Sequence, residues 1–462
     1  VNERRVVVGF MAALLVSCGG ESTRASRGGG ECDATATRDD VMLHTQEDVE
    51  ALRGVTRITG GLYVHGDVDD LGPLQCLTDI ENIYLRGAAR LRGLEGLESV
   101  TRLGGLFIEK DCTELDEGDR VCWGNDSLVS LEGLRSVTEL GGLYVRLDGT
   151  LGEAASPVLE RVGFDRVEIA DSVDIAGCPA LTDLSGFASV TEASLIRIRD
   201  NPNLKSLSGF GALTTASVLL IDNPELSDIS GFSNLGLARE LEFTRNALAN
   251  LDALSELTEV QQLSFSEPSL ASLRGLSNLT RVGTFSIGPS ASLTSLEGLG
   301  ALGSVDSLSV AASPLSSFEG LEGLRSLSQL VLESLPNLTS LDGLEGTSPS
   351  GISIARTPLL SDLGGLAGAA VVEGLSLLYV DSLANVDAFA SVTEIRELTL
   401  AANPSLTDLE GFTNLRSVSR LTIAGNPCLP STQVDWLIAH VGDENIGSIQ
   451  DISGNGTENC AP

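Results

Sequence analysis

Residues 327–344 read LSQLVLESLPNLTSLDGL. Leu330-Val331-Leu332 alternates apolar, outward, apolar, as a short strand must. Apolar residues then recur at every third position, Leu335, Leu338, Leu341 and Leu344, which suits a tight 3₁₀-like or extended turn returning across the other side. One such unit cannot enclose a core, because its apolar face is covered only when another unit lies against it.

The chain repeats the unit. A Leu-x-Gly-Leu/Phe frame recurs at Leu184, Leu207, Ile229, Leu251, Leu273, Leu296, Phe318, Leu341, Leu363, Val386 and Leu409, always 22 or 23 residues apart. A period held over so many intervals predicts a solenoid, so one long domain replaces the three that 462 residues would allow. Between strand and return comes a corner written Asn201-Pro202, Asn223-Pro224, Asn403-Pro404 and Asn426-Pro427. A buried Asn amide can pair with both N–H and C=O groups where no sheet ladder serves them, and proline fixes the turn. Ser313, Leu335, Thr357 and Val380 replace Asn at that slot, which predicts a break in the ladder through the middle units.

This pattern resembles the leucine-rich repeat superfamily, and its Gly-Leu/Phe-x-x-Val-x-x-Leu-x-Ile-x-x-Asn-Pro-x-Leu version is most similar to receptor L-domain repeats of bacterial surface proteins. The resemblance covers about Val41 to Pro462. It implies a right-handed solenoid with one short parallel strand per coil, mostly β and 3₁₀ or irregular, with short helices at the two caps. Cysteine is an accepted alternative at the corner of such repeats, so Cys178 of Cys178-Pro179 is expected to be buried and inert.

The first residues, VNERRVVVGFMAALLVSCGG, carry Arg4 and Arg5 before an apolar run from Val6 to Val16, the layout of an export signal. Leu15-Val16-Ser17-Cys18 resembles the lipobox of bacterial lipoproteins, which implies cleavage before Cys18 and lipidation of that residue. Several acyl chains there would anchor the chain stably, and the lack of Asp after Cys18 favours the outer membrane by resemblance to enteric sorting. Membrane contact is expected through this anchor only. The expected layout is a signal peptide over 1–17, a lipidated Cys and flexible tether over 18–40, the solenoid over 41–427, and a disulfide-linked helical cap over 428–462.

Export permits disulfides. Cys428 with Cys460, Cys112 with Cys122 and Cys32 with Cys76 are the expected pairs, leaving Cys178 odd. Thr432-x-x-Asp435 predicts a capped helix through Val434, Trp436, Leu437, Ile438 and Val441 that lids one end, with Trp436 in the cap core. Thr45-x-x-Asp48 predicts a second helix at the other end, with Val49 and Leu52 on its buried side.

A formal charge of −35 excludes nucleic acid and anionic bilayers as partners. His44, His65 and His440 stand at no metal-ligand spacing and beside no nucleophile motif, so no catalytic residue, metal site or cofactor is expected. Glu114 to Asp119, ELDEGD, lacks the alternating ligand spacing of a calcium loop and reads as a solvated acidic loop.

The pentapeptide GGLYV occurs at Gly60–Val64 and again at Gly141–Val145, and is expected to carry its glycines into a turn, with Leu and Val buried and tyrosine outward. Aligning the upstream strands puts Tyr63, Tyr84, Phe107 and Tyr144 in one outward slot, which later units fill mostly with Ser or Thr. Arg86 and Arg146 follow two of those rings. Beside the stripe the period is interrupted twice: Ile108 to Val145 spans 37 residues and includes Cys112, Cys122 and Trp123, and Val145 to Ile175 spans 30. Aromatic anchors with arginine neighbours dominate binding hot spots, and a bridged loop presents its residues at lower entropy cost. Cross-strand aromatic pairs also simply stabilise a sheet. The expected function is thus a lipid-anchored, non-catalytic envelope protein that binds a cell-surface protein or polysaccharide through Tyr63, Tyr84, Phe107, Tyr144, Arg86, Arg146 and Trp123. A structural or adhesion protein with weak multivalent contacts, or a recognition domain serving an enzyme partner, are the alternatives.

Overall fold

A computed structural model describes Cys32, 36–114, 120–146, 156–368, 371–456 and Cys460. The signal and Cys18, the tether except Cys32 and 36–40, 115–119 of the acidic loop and 147–155 of the second insertion lie outside the described residues.

The quoted unit forms a strand over Ser326–Glu333, hydrogen-bonded in parallel to Ser304–Ala311 on one side and Gly351–Ala355 on the other. Leu330 and Leu332 face inward without exposure, while Val331 between them is 37% exposed. Leu335, Leu338, Leu341 and Leu344 are inaccessible to solvent, so the three-residue spacing is the buried edge of the return path. Among the described residues nineteen strands make one sheet, one strand per coil through most of its length. The chain is a leucine-rich-repeat-type solenoid, mostly β with 3₁₀ turns and a short α-helix at each end.

The Leu-x-Gly frame falls on the 3₁₀ turns, as at Ser208–Phe210, Ser230–Phe232 and Arg274–Leu276. Its glycine is required by the neighbouring coil. A Cβ on Gly209 would stand 2.0 Å from the carbonyl oxygen of Leu184, and one on Gly231 2.0 Å from that of Leu207. Coils therefore pack backbone against backbone on this side.

At the corner the neighbours are joined by side-chain amides. Asn223 donates from Nδ2 to the Ile198 carbonyl of the preceding coil at 3.0 Å, and its Oδ1 accepts the N–H of Asn201 at 3.2 Å. The pattern runs from Cys178 through Asn201, Asn223 and Asn246, stops, and resumes from Val380 through Asn403 and Asn426 to Asn455. The predicted break is present, and Ser313, Leu335, Thr357 and Val380 fill buried slots within or beside it. Burial pushes the Cys178 thiol up to about 12, in keeping with an inert corner residue. The residue before most corners takes a left-handed conformation, for example Asp200, Asp222, Arg356 and Tyr379 at φ 56, 57, 55 and 55°.

The first run ends in a carboxylate that the period does not flag. Glu267 is fully buried, and its oxygens accept the N–H of Asn246 at 3.1 Å and its Nδ2 at 2.7 Å. Burial raises the Glu267 carboxyl above its ordinary range, against the lowering effect of these donors.

Three disulfides join the expected partners, Cys32–Cys76, Cys112–Cys122 and Cys428–Cys460. Helix α1 (Gln46–Glu50) carries the full capping box of Thr45 and Asp48, with Val49 and Leu52 buried. Helix α2 (Ser431–Val441) corrects the expected Thr432–Asp435 cap. Pro430, with φ at −59°, stands at the N-cap position without a side-chain hydrogen bond, so Thr432 already lies inside the first turn. Trp436 packs partly buried on the core and stacks on His440 at 5.1 Å. Beyond α2, Ile446–Asp451 adds one more parallel strand that the sequence pattern did not announce, since nearly all its residues are exposed and no apolar alternation marks it.

Two outcomes follow from the corner. Asn223→Ala leaves the Asn201 N–H and the Ile198 carbonyl buried without their partner, at about 1–3 kcal/mol each. Denaturant melts should show a loss of that order, whereas Leu335→Ala should lose stability through a cavity alone. Glu267 has a folded value above its unfolded one, so its contribution is fully present below the ordinary glutamate range and is lost as pH rises through the folded value. Glu267→Gln should therefore be more stable than the parent at pH 7 and lose that advantage at pH 4, read as the shift in urea midpoint.

Candidate functional site

Four N-terminal strands, Arg57–Val64, Asp79–Arg86, Arg102–Glu109 and Glu139–Val145, lie side by side in register. The register pairs Tyr63 with Tyr84, Tyr84 with Phe107, and Phe107 with Tyr144. All four rings stand on the outer face, half-buried and stacked at centroid distances of 4.6, 4.7 and 4.8 Å with interplanar angles of 6, 12 and 12°. These distances match the spacing of strands in a sheet, so the backbone itself sets the stack. Each pair adds about 0.5–1.5 kcal/mol beyond its area.

GGLYV now has a reason for every letter, and the expectation that its glycines enter a turn is corrected. Gly60, Gly61, Gly141 and Gly142 all lie within strands. A Cβ on Gly61 would stand 2.5 Å from Cε2 of Tyr63, one on Gly105 2.7 Å from Phe107, and one on Gly142 2.6 Å from Tyr144. The second glycine is the bed on which the ring leans back along its own strand. The first serves the neighbouring coil, since a Cβ on Gly141 would stand 2.0 Å from the Gly104 carbonyl oxygen.

The stack is bounded by unlike residues. Met42 pairs with Tyr63 at the outer end and is 54% exposed. Asp174 follows Tyr144, buried and approached by Arg197 at 3.5 Å. Neither residue was among the sequence candidates, although Met42 stands one period before Tyr63.

A charged row borders the rings where their strands end. Arg86 lies over the Tyr84 ring at 5.4 Å and Arg146 over the Tyr144 ring at 4.9 Å. Glu109 sits between them, 3.1 Å from Arg86 and 3.7 Å from Arg146. The row continues to His65, 3.8 Å from Asp111 and stacked on His44 at 5.3 Å. Burial lowers the His65 imidazole from its ordinary value, with Asp111 opposing and His44 and Arg86 adding to the shift. Burial likewise raises the Tyr84 phenol, with the neighbouring Tyr63 reinforcing it and Arg86 opposing, so at neutral pH the hydroxyl is a neutral hydrogen-bonding group.

The first insertion is a two-stranded antiparallel hairpin, Asp111–Glu114 with Arg120–Trp123, in which Cys112 faces Cys122. Asn125 then restores the corner: its Oδ1 accepts the Ala88 N–H at 3.1 Å and its Nδ2 donates to the Leu85 carbonyl at 3.2 Å. The hairpin is thus inserted between a strand end and its corner without disturbing either. Trp123 stands at this edge over Gly87, whose Cβ would be 3.2 Å from that of the tryptophan, and is 49% exposed. The structure therefore unites Tyr63, Tyr84, Phe107, Tyr144, Arg86 and Arg146, and sets Trp123 beside them on the hairpin. Among the described residues no group of three His, Cys, Asp or Glu is placed to hold a metal.

No protein-family model and no curated protein sequence matches the chain. Solved structures that resemble it include an internalin from Listeria monocytogenes, at 17% identity over 66% of this chain and 82% of that one, with a TM-score of 0.36. A leucine-rich-repeat protein of Leptospira interrogans matches at 14% identity over 88% and 92%, with a TM-score of 0.37. The mouse RP105/MD-1 complex matches at 12% over 88% and 89%, with a TM-score of 0.30. The chain's own strand register and corner hydrogen bonds define its repeat fold.

Proposed function

We propose that the chain is a lipid-anchored, non-catalytic binding protein of the cell envelope, held at the outer membrane through Cys18, and that its partner is a protein docking on the aromatic stripe. The observation that carries this reading is the four-ring stack with guanidinium groups at its margin. Aromatic and arginine side chains on a rigid surface are the anchors that protein interfaces favour. Stacking alone does not account for them. Later coils close equally well with Ser264, Ser286, Ser309, Ser353, Ser376, Thr399 and Thr422 in the same slot. The exposed Met42 and Trp123 extend the apolar surface beyond the stack.

Ring orientation favours a protein over a polysaccharide. A sugar lies flat on a free aromatic face, whereas Tyr84 and Phe107 have a ring on each face and offer only their edges and the one hydroxyl of Tyr84. Edges and hydroxyls suit the side chains and backbone carbonyls of a protein surface.

The test is a pull-down from surface extracts with the parent and a Tyr63→Thr/Tyr144→Thr variant, which keeps strand-forming residues in the slot. At about 2 kcal/mol per hot-spot residue, capture should weaken a hundredfold or more while circular dichroism stays native. Undiminished capture by a folded variant overturns the site. The anchor has its own test: Cys18→Ser should move the chain from the membrane fraction to the soluble one, and persistent partitioning with membranes refutes lipidation.

A further inference from the structure

The fourth tyrosine is outside the stack. Tyr379 occupies the left-handed position before its corner, at φ 55°, where other coils place Gly, Asp, Ala, Ser or Arg. A bulky aromatic there is unusual, because its Cβ crowds the backbone. The side chain is not recruited to the core either, being 54% exposed. Its neighbours form a shallow depression lined by Ser334, Pro336, Arg356, Pro358, Tyr379 and Asp381.

The chemistry of that lining is specific. Two prolines offer an apolar floor without N–H donors. Arg356 lies over one side of the tyrosine ring, 5.9 Å from its centroid, and is paired with Glu333 at 2.7 Å. In contrast to the stacked rings, Tyr379 has no other ring stacked on it among the described residues, and it stands 54% exposed where it borders the depression. A hydroxyl (Ser334), a guanidinium (Arg356), a phenol (Tyr379) and a carboxylate (Asp381) stand around it, supplying both donors and acceptors.

We propose that this depression is a saccharide-binding site, separate from the aromatic stripe, which takes a neutral sugar unit at the surface of the C-terminal coils. Polarised C–H groups on the flat side of a pyranose match the negative face of the ring, and its equatorial hydroxyls match the mixed rim. The three coils span two strand spacings, about 10 Å, room for one or two sugar rings. Glu333 already balances Arg356, and Asp381 adds negative charge, so an anionic ligand is disfavoured. A proline-rich peptide needs successive aromatic ridges, and the depression has one.

The test is saturation-transfer NMR on the purified protein with maltose, cellobiose, lactose and N,N′-diacetylchitobiose, and with a decaproline peptide for comparison. Transfer to the ring C–H protons of at least one saccharide is expected. Tyr379→Asn, which tolerates the left-handed backbone, should weaken that saccharide at least tenfold with an unchanged melting curve. Asp381→Asn, at an exposed position, should weaken it several-fold. Tyr63→Thr/Tyr144→Thr should leave it unaltered, which separates this site from the stripe. The proposal is overturned if none of the four saccharides receives saturation, if transfer survives both Tyr379→Asn and Asp381→Asn, or if decaproline alone binds.

Discussion

The peptide groups at a coil's corner find their partners in the adjacent coil, and that shared hydrogen bonding governs the rest of the solenoid. Asn201, Asn223 and Asn246 each donate to a carbonyl of the preceding coil, and each accepts an N–H from the coil before its own. No coil is satisfied alone. The same dependence appears in the core, where leucines at every third position are buried only because the next coil lies against them. It appears a third time in the Leu-x-Gly frame, whose glycine admits the neighbour's backbone to a distance that any Cβ would forbid.

Where the ladder is interrupted the protein substitutes packing for polarity. Leu335 and Val380 fill buried slots with apolar side chains, which removes the amide together with its demands. Among the described residues Ser290 and Thr357 keep buried hydroxyls without partners, a less complete solution. Glu267 is a third: it reproduces the acceptor role of Asn and adds a buried carboxylate. These variations are tolerated because each coil is held on two sides, so loss at one corner is spread over its neighbours.

Most of the fold was legible because the period is long and strict. Strand, return and corner follow from the spacing of Leu330, Leu335 and Asn223 and their repeats, and the cysteines pair as expected. The failures lie where the period stops. Thr432 carries a capping signal by composition, yet Pro430 places the helix start two residues earlier. Ile446–Asp451 pairs through backbone alone and leaves no apolar trace. At the site, a common slot for the rings could be read from alignment, but the role of the paired glycines could not. Whether Gly61 enters a turn or underlies a ring depends on which side of the strand Tyr63 leans towards, and no spacing encodes that.

Function belongs where the neighbouring coil leaves a residue unforced. Inward strand positions, frame glycines and corner amides are all dictated by the coil beside them. Two positions escape: the outward strand slot and the left-handed residue before the corner. The first holds Tyr63, Tyr84, Phe107 and Tyr144 in the N-terminal coils and small hydroxyl residues in many others. The second admits a whole hairpin between Glu109 and Asn125, since Asn125 restores the corner bonds beyond it, and it admits Tyr379 as a single projecting ring. Both candidate surfaces therefore arise from the same rule. A solenoid whose coils constrain one another so closely has few places to differ from its own repeat, and residues that do differ there are under no demand from the fold.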